Sequence, residues 1–441
     1  MNITSPMRLQ KLFALHDEIL QKRLETVLPQ VMDECGIDMW IVIGDEYNEG
    51  PVVRSLLPSA FFHARRTAAF IFTRKNGVTM KMIASKPDFS IDRFYTPVLL
   101  KPKGLDWETF YTTFATKYDI EKIREMEEED LFGCIGRLIR ENDPDRIALD
   151  FSQTTPFSDG LSWTNYEKLC AHIHTKYQKR FVSAEDISVR FLETRIDEEI
   201  ALMQQIVMVS REIVKECYST EVIIPGVTTT GEARFHLMER ATNLGMPPWF
   251  DATMWIRRKG DSHIDDDNAV IKKGDILHCD FGVIYGNLCS DIQEMAYVKD
   301  DDDEQLIEEL DTIHRTCMRF QDIVIEQFSE GRSGNEILAR SLAQAKSEGI
   351  AKPMLYSHPI GLFGHGPGPT IGSFTNQQYV EGGGERTVHD RTCYALELNI
   401  REKVASWDDL EIMWGQEIDI LFKDGKARYF AGRQTELHII A

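Results

Sequence analysis

Two segments constrain any fold of this chain, because each places carboxylates inside a run built to be buried. Tyr394-Ala395-Leu396-Glu397-Leu398 and Trp414-Gly415-Gln416-Glu417-Ile418-Asp419-Ile420-Leu421-Phe422 are strand-like, and acids interrupt their apolar character. An ionised carboxylate taken out of water without a partner is very costly. The chain must therefore fold so that these acids meet something that compensates them.

Residues 276–298 add two more acids. They alternate as two strands, 276–284 and 288–298, around Tyr285-Gly286-Asn287. A hairpin centred between Tyr285 and Gly286 sets Asp280 directly opposite Asp291 on one face of a sheet, and opposed like charges destabilise a sheet unless a cation lies between them. A fourth segment, Tyr356-Ser357-His358-Pro359-Ile360-Gly361-Leu362-Phe363-Gly364-His365-Gly366-Pro367-Gly368, carries two histidines among glycines, where backbone can approach a ligand closely. Asp, Asp, His, Glu and Glu together offer hard oxygen donors and an imidazole. Such a set suits Mn²⁺, Fe²⁺, Co²⁺ or Zn²⁺ and is unlike a thiolate site. Four carboxylates balance two divalent cations, the charge pattern of a two-metal hydrolytic centre.

Composition narrows the setting. With 441 residues the chain is long enough for two domains, and 42% apolar with 27% charged residues excludes a disordered chain. The longest apolar strings are strand-sized, so no membrane span is expected. Fifty basic against 71 acidic residues give a net charge of −21, a field that repels phosphate backbones and anionic lipid and favours cations. Nucleic acid and membrane are thus excluded as expected partners. The eight cysteines form no Cys-x-x-Cys pair, and the first 20 residues lack a continuous apolar stretch of the signal-peptide kind. Mostly buried free thiols and a cytoplasmic location are the expectation.

Along the chain, residues 8–34 read as one helix stopped by Gly36, residues 39–43 as a buried strand, and 68–73 and 78–84 as a hairpin around Asn76-Gly77. A helix near 131–139 precedes a strand at 146–151, and the acidic run 125–130 reads as a solvated helix face. Near residue 190 the texture changes: Thr194-Arg195-Ile196-Asp197 resembles a capping box opening a long helix. The expected division is an N-terminal domain over 1–190 and a second domain over 191–441. The run 300–304 reads as an exposed turn before a helix beginning near Leu306, since an EF-hand's glycine and distal glutamate are missing.

From about Arg195 onward the chain resembles the pita-bread metallopeptidases, the family of aminopeptidase P, prolidase and methionine aminopeptidase. The resemblance is carried by Gly274-Asp275-Ile276-Leu277-His278-Cys279-Asp280-Phe281-Gly282, Ser290-Asp291-Ile292, His358-x-Ile-Gly-Leu-x-x-His365, Glu397 and Glu417. It implies an α/β (α+β) chain: a creatinase-like N-terminal α/β domain, then a catalytic domain with a curved antiparallel sheet flanked by helices. It further implies two divalent metals, manganese first and zinc, cobalt or iron next. Asp280 would bind one metal terminally, Asp291 and Glu417 would bridge, and His358 and Glu397 would hold the second. His358 rather than His365 matches the family's ligand, because Gly361 and His365 follow it three and seven positions later. The resemblance assigns Glu397 to proton transfer and gives His365 and His263 hydrogen bonds to the substrate. The implied activity is that of an Xaa-Pro aminopeptidase or Xaa-Pro dipeptidase using a metal-bridging hydroxide, in a homodimer acting on small peptides.

Departures from the family pattern fall at Leu398, Arg401, Gly415 and Met354, positions that by the resemblance would touch substrate rather than metal. They leave room for a creatinase-like C–N hydrolase or a lyase acting on a small zwitterion.

Overall fold

The computed structural model describes residues 8–85, 91–101, 103–104, 106–114, 120–260, 263–301 and 303–441. They form two compact units, Leu9–Leu192 and Glu193–Ala441.

The first unit is built on a six-stranded mixed sheet. Its strands are β1 (Met39–Asp45), β2 (Thr67–Lys75), β3 (Val78–Ala84), β4 (Thr96–Pro97), β5 (Ile147–Leu149) and β6 (Phe181–Ser183), in the order β4-β3-β2-β1-β5-β6. Asn76 and Gly77 both take positive φ (52° and 77°), the two-residue turn that their side chains favour. Ile41, Ile43, Ile71 and Leu149 bury one face against Ile135, Leu138 and Ile139 of the helix Leu131–Asn142. Two expectations need correction here. The run 8–34 is two helices, Leu9–Glu25 and Val27–Glu34, because Pro29 has no N–H to continue the ladder across Thr26. The acidic run is not a helix face: only Glu125 is helical, Glu129 bridges to Lys101, and Asp130 caps the following helix by accepting the Gly133 N–H at 2.8 Å.

The second unit opens with the helix Asp197–Cys217. Its N-cap is Ile196 rather than Thr194, and Glu199 Oε2 accepts the Ile196 N–H at 2.9 Å, so only the glutamate half of the expected box forms. A nine-stranded sheet follows. Its main path runs β12 (Met354–Leu355), β14 (Thr392–Val404), β15 (Leu410–Lys423), β11 (Ile292–Val298), β8 (Ile276–Phe281) and β7 (Thr253–Arg257). The strand β13 (His358–Pro359) joins β14, β16 (Lys426–Tyr429) joins β15, and β17 (His438–Ile440) joins β11. Strand alternation divides β14 and β15 by parity. Leu396, Leu398, Ile400, Trp414 and Ile420 pack into a core with Leu310, Ile313, Phe320 and Val324 of the helix Glu304–Gln327. Glu397 and Glu417 point to the opposite face. That helix begins at Glu304 rather than near Leu306; of the acidic run before it, Asp302 lies outside the described residues, and Asp303 accepts the Asp300 N–H at 2.8 Å.

The hairpin joining β8 to β11 differs in register from the expectation. Gly286 and Asn287 both have positive φ (57° and 63°), so they form the two-residue loop between β9 (Ile284–Tyr285) and β10 (Leu288–Cys289). Asp280 therefore faces Gln293, not Asp291. A shift of two residues preserves the face, and Asp291 remains beside Asp280 on the same side of the sheet.

Candidate metal centre

One lateral row across the sheet builds most of the site. Glu397 pairs with Glu417, Glu417 with Gln293, and Gln293 with Asp280, each in adjoining strands. Asp291 stands just before β11, with its backbone N–H on Asp419 Oδ2 at 3.1 Å. His358 reaches the same place from β13, opposite Ala395. The structure thus brings Asp280, Asp291, His358, Glu397 and Glu417 together from five strands or strand ends.

Burial dominates the electrostatics. Among the described residues no lysine or arginine pairs with any of the four acids. Desolvation pushes Asp280 up to about 7, against hydrogen bonding with Asp291 and Gln293. Glu397 is likewise pushed up to about 7, by burial first, with the Gln293 hydrogen bond opposing. Asp291 and Glu417 are driven well above the carboxylate range, again by burial first and then by the neighbouring acids. Asp280 Oδ1, Asp291 Oδ1 and Glu417 Oε1 are buried and accept no hydrogen bond. Such a cluster lacks its compensating charge.

His358 is prepared to share that role. Its Nδ1 lies 3.2 Å from the Pro359 carbonyl, which fixes the proton on Nδ1 and turns the Nε2 lone pair toward the acids. Nε2 lies 3.8 Å from Asp291 Oδ2 and 3.7 Å from Glu417 Oε1. Burial, then His365, lowers His358 to about 4, so the ring is neutral at ordinary pH and these contacts are not ion pairs. The spacings exceed hydrogen bonds and approach those between neighbouring ligands of a cation held at about 2.0–2.2 Å. Asp291, His358 and Glu417 offer donor atoms that all lie within 4.8 Å of one another. The donor set therefore fits a divalent metal.

His365 is exposed, its ring centroid 4.6 Å from that of His358 and 5.3 Å from that of Trp249. Partial desolvation of its ring, set between those of His358 and Trp249, lowers its pKa. His263 is exposed and does not join the acid cluster; its ring lies 4.6 Å from Trp255. Gln293, Asp419, His278 and Trp249 were not singled out from the sequence. Gln293 was readable, because a strand residue two after Asp291 shares its face. Trp249 comes from an irregular segment with no such signal.

Residues 201–421, half of the chain, match the sequence pattern of metallopeptidase family M24. The chain belongs to family M24. This M24 chain is a metal-dependent peptidase by family, and it carries the family's pita-bread fold behind a creatinase-like N-terminal domain. The structure of the X-Pro aminopeptidase from Thermotoga maritima MSB8 is similar at 16% identity and a TM-score of 0.58, covering 93% of this chain and 100% of that one. The Xaa-Pro dipeptidase from Bacillus anthracis matches at 16% identity and 0.59, covering 96% and 100%. The N-terminal domain of the FACT complex subunit SPT16 from Cicer arietinum (chickpea) matches at 13% identity and 0.56, covering 96% and 99%. At these identities the likeness establishes the shared fold alone. No curated protein matches the sequence. No helix of the described residues is long and apolar enough to cross a membrane.

Proposed function

We propose that this M24 chain is a dinuclear metallopeptidase that cleaves next to proline, as an Xaa-Pro aminopeptidase or an Xaa-Pro dipeptidase. The observation that carries the reading is the convergence of four acids, three of them (Asp280, Asp291 and Glu417) with an orphaned buried oxygen, with Asp291 and Glu417 set beside one neutral imidazole. Asp280 would hold one cation, His358 and Glu397 the other, and Asp291 and Glu417 would serve both. When bound, such a pair supplies Lewis acidity and lowers the pKa of water. Manganese is the first choice of metal, with zinc, cobalt and iron as alternatives.

The chain's own residues supply the rest. Glu397 Oε1 accepts from Gln293 Nε2 at 2.8 Å, leaving Oε2 as the atom that takes and returns a proton. His365, against the His358 ring and open to solvent, donates a hydrogen bond to charge developing on a peptide carbonyl. His263 is assigned the same task from the Trp255 side. A homodimer in the cytoplasm completes the reading, and sizing chromatography tests the dimer.

The deciding experiment incubates manganese-loaded protein with X-Pro dipeptides and X-Pro-Y tripeptides. Turnover of one class separates dipeptidase from aminopeptidase, and inertness toward both with roughly two metals bound overturns the reading. A second reading, a C–N hydrolase or lyase on a small zwitterion, has one observation in its favour. Where aminopeptidase P places arginine, this chain has Gly415, and a Cβ there would meet the His278–Gln293 pair, so this position offers the substrate no guanidinium. Activity on small zwitterions with no X-Pro cleavage would select it.

A further inference from the structure

The row of acids contains one neutral member. Gln293 sits between Glu417 and Asp280, and its side-chain amide faces two ways. Nε2 donates to Glu397 Oε1 at 2.8 Å and lies 3.4 Å from Asp280 Oδ2. Oε1 lies 2.9 Å from His278 Nε2. Carboxylates accept only, so the amide nitrogen must face them. Its oxygen must then face His278, whose Nε2 therefore carries the proton.

His278 is itself held. It is buried and stacked under Trp255, with centroids 4.5 Å apart and planes 19° from parallel. From β15, which pairs with the strand of Gln293, a Cβ at Gly415 would come within 3.2 Å of His278 Nε2 and 3.4 Å of Gln293 Oε1. Glycine there preserves the space in which the two side chains meet.

We propose that His278 and Gln293 form a positioning pair for the metal ligands: His278 Nε2–H fixes the Gln293 amide, which holds Glu397 and Asp280 in their binding orientation. The pair adds donors without adding charge, so it supports the ionised acids where another carboxylate would repel them. The inference rests on the metallopeptidase reading above and extends it to residues outside the expected ligand set.

The test is the Mn²⁺ dissociation constant of the full chain, measured by equilibrium dialysis with manganese alone. Gln293→Met keeps length and removes both donors, and His278→Phe keeps the stack on Trp255 and removes the N–H. Each should weaken binding by about 10–100-fold, the usual effect of losing an outer-shell partner. His278→Gln restores a donor and should recover much of the loss. A merely structural role would lower the melting temperature of the metal-free protein and leave the affinity of folded chain unchanged. Should Gln293→Met fail to fold, His278→Phe and His278→Gln carry the comparison. Affinities within twofold of the parent in the folded variants overturn the pair while leaving the metal centre standing. A parent chain that binds no Mn²⁺ overturns the metallopeptidase reading and the pair with it.

Discussion

Asp291 accepts nothing on Oδ1, lies within reach of His358 and Glu417, and is crowded by three other acids. Its charge is a liability in the metal-free protein and a requirement in the loaded one. Asp291→Asn keeps the volume and removes that charge. The metal-free variant should therefore melt at or above the parent temperature, whereas bound manganese should fall below one per chain and X-Pro turnover should vanish. Elemental analysis beside a thermal melt reads both, and full metal content in the variant would remove Asp291 from the ligand set. Asp150, in the first unit, makes a separate case. It is buried, accepts from Trp40 Nε1 at 3.3 Å and Ser188 Oγ at 3.4 Å, and burial pushes it up to about 7. In the unfolded chain it ionises near ~3.9. The folded state thus binds more protons between those two values, and the stability Asp150 contributes is full below about pH 4 and lost as pH rises toward 7. Asp150→Asn should flatten that part of the profile. Urea midpoints for parent and variant from pH 4 to 8 measure the difference, and parallel profiles would contradict it.

At the scale of elements, one indole joins the two loops that carry the chemistry. Trp249 donates from Nε1 to the Ser290 carbonyl at 2.8 Å and lies between Gly282 and Gly364. A Cβ on Gly364 would meet the Trp249 ring at 2.3 Å, so any side chain there must expel the indole. Gly364→Ala should cost about 1–3 kcal/mol as an overpacked contact, change tryptophan fluorescence and lower turnover through the displaced His365. An unchanged spectrum with full activity would show that the indole does not set the loop. That wedge was invisible in the sequence, because it pairs residues more than thirty positions apart through shape alone. The acids were legible for the opposite reason: alternation makes parity a local property, so Glu397 and Glu417 declare a face distinct from Leu396, Leu398 and Ile418. Register is less local. Placing the hairpin one residue early set Asp291 opposite Asp280, where positive φ at Gly286 and Asn287 sets Gln293 there. The error was two residues, so the face survived and the partner did not. Pro29 likewise divided a helix whose apolar spacing read as continuous.

Across the whole molecule, the five proposed ligands and the positioning pair all belong to the unit Glu193–Ala441. Ligation would join β8, β11, β13, β14 and β15, strands already linked by backbone ladders, one flanking core and the Gln293 side chain. A cation bound there stabilises the folded form by an amount set by its concentration over Kd, about 2.7 kcal/mol at a hundredfold excess. That energy should appear where the ligands are. Adding Mn²⁺ should slow amide exchange across those five strands and leave β1, β2 and β3 of the first unit at their metal-free rates. The net charge of −21 draws cations to the whole surface, so a diffuse electrostatic effect is the competing explanation. It predicts small changes spread over both units that fade with added salt, because exposed charges are screened within about 10 Å at 0.1 M ionic strength. Buried ligands are screened far less. Exchange measured with Mn²⁺ at low and moderate salt therefore separates the two: protection confined to the site strands and persisting in salt belongs to the acid cluster, whereas uniform, salt-sensitive protection would deny the chain a specific metal centre.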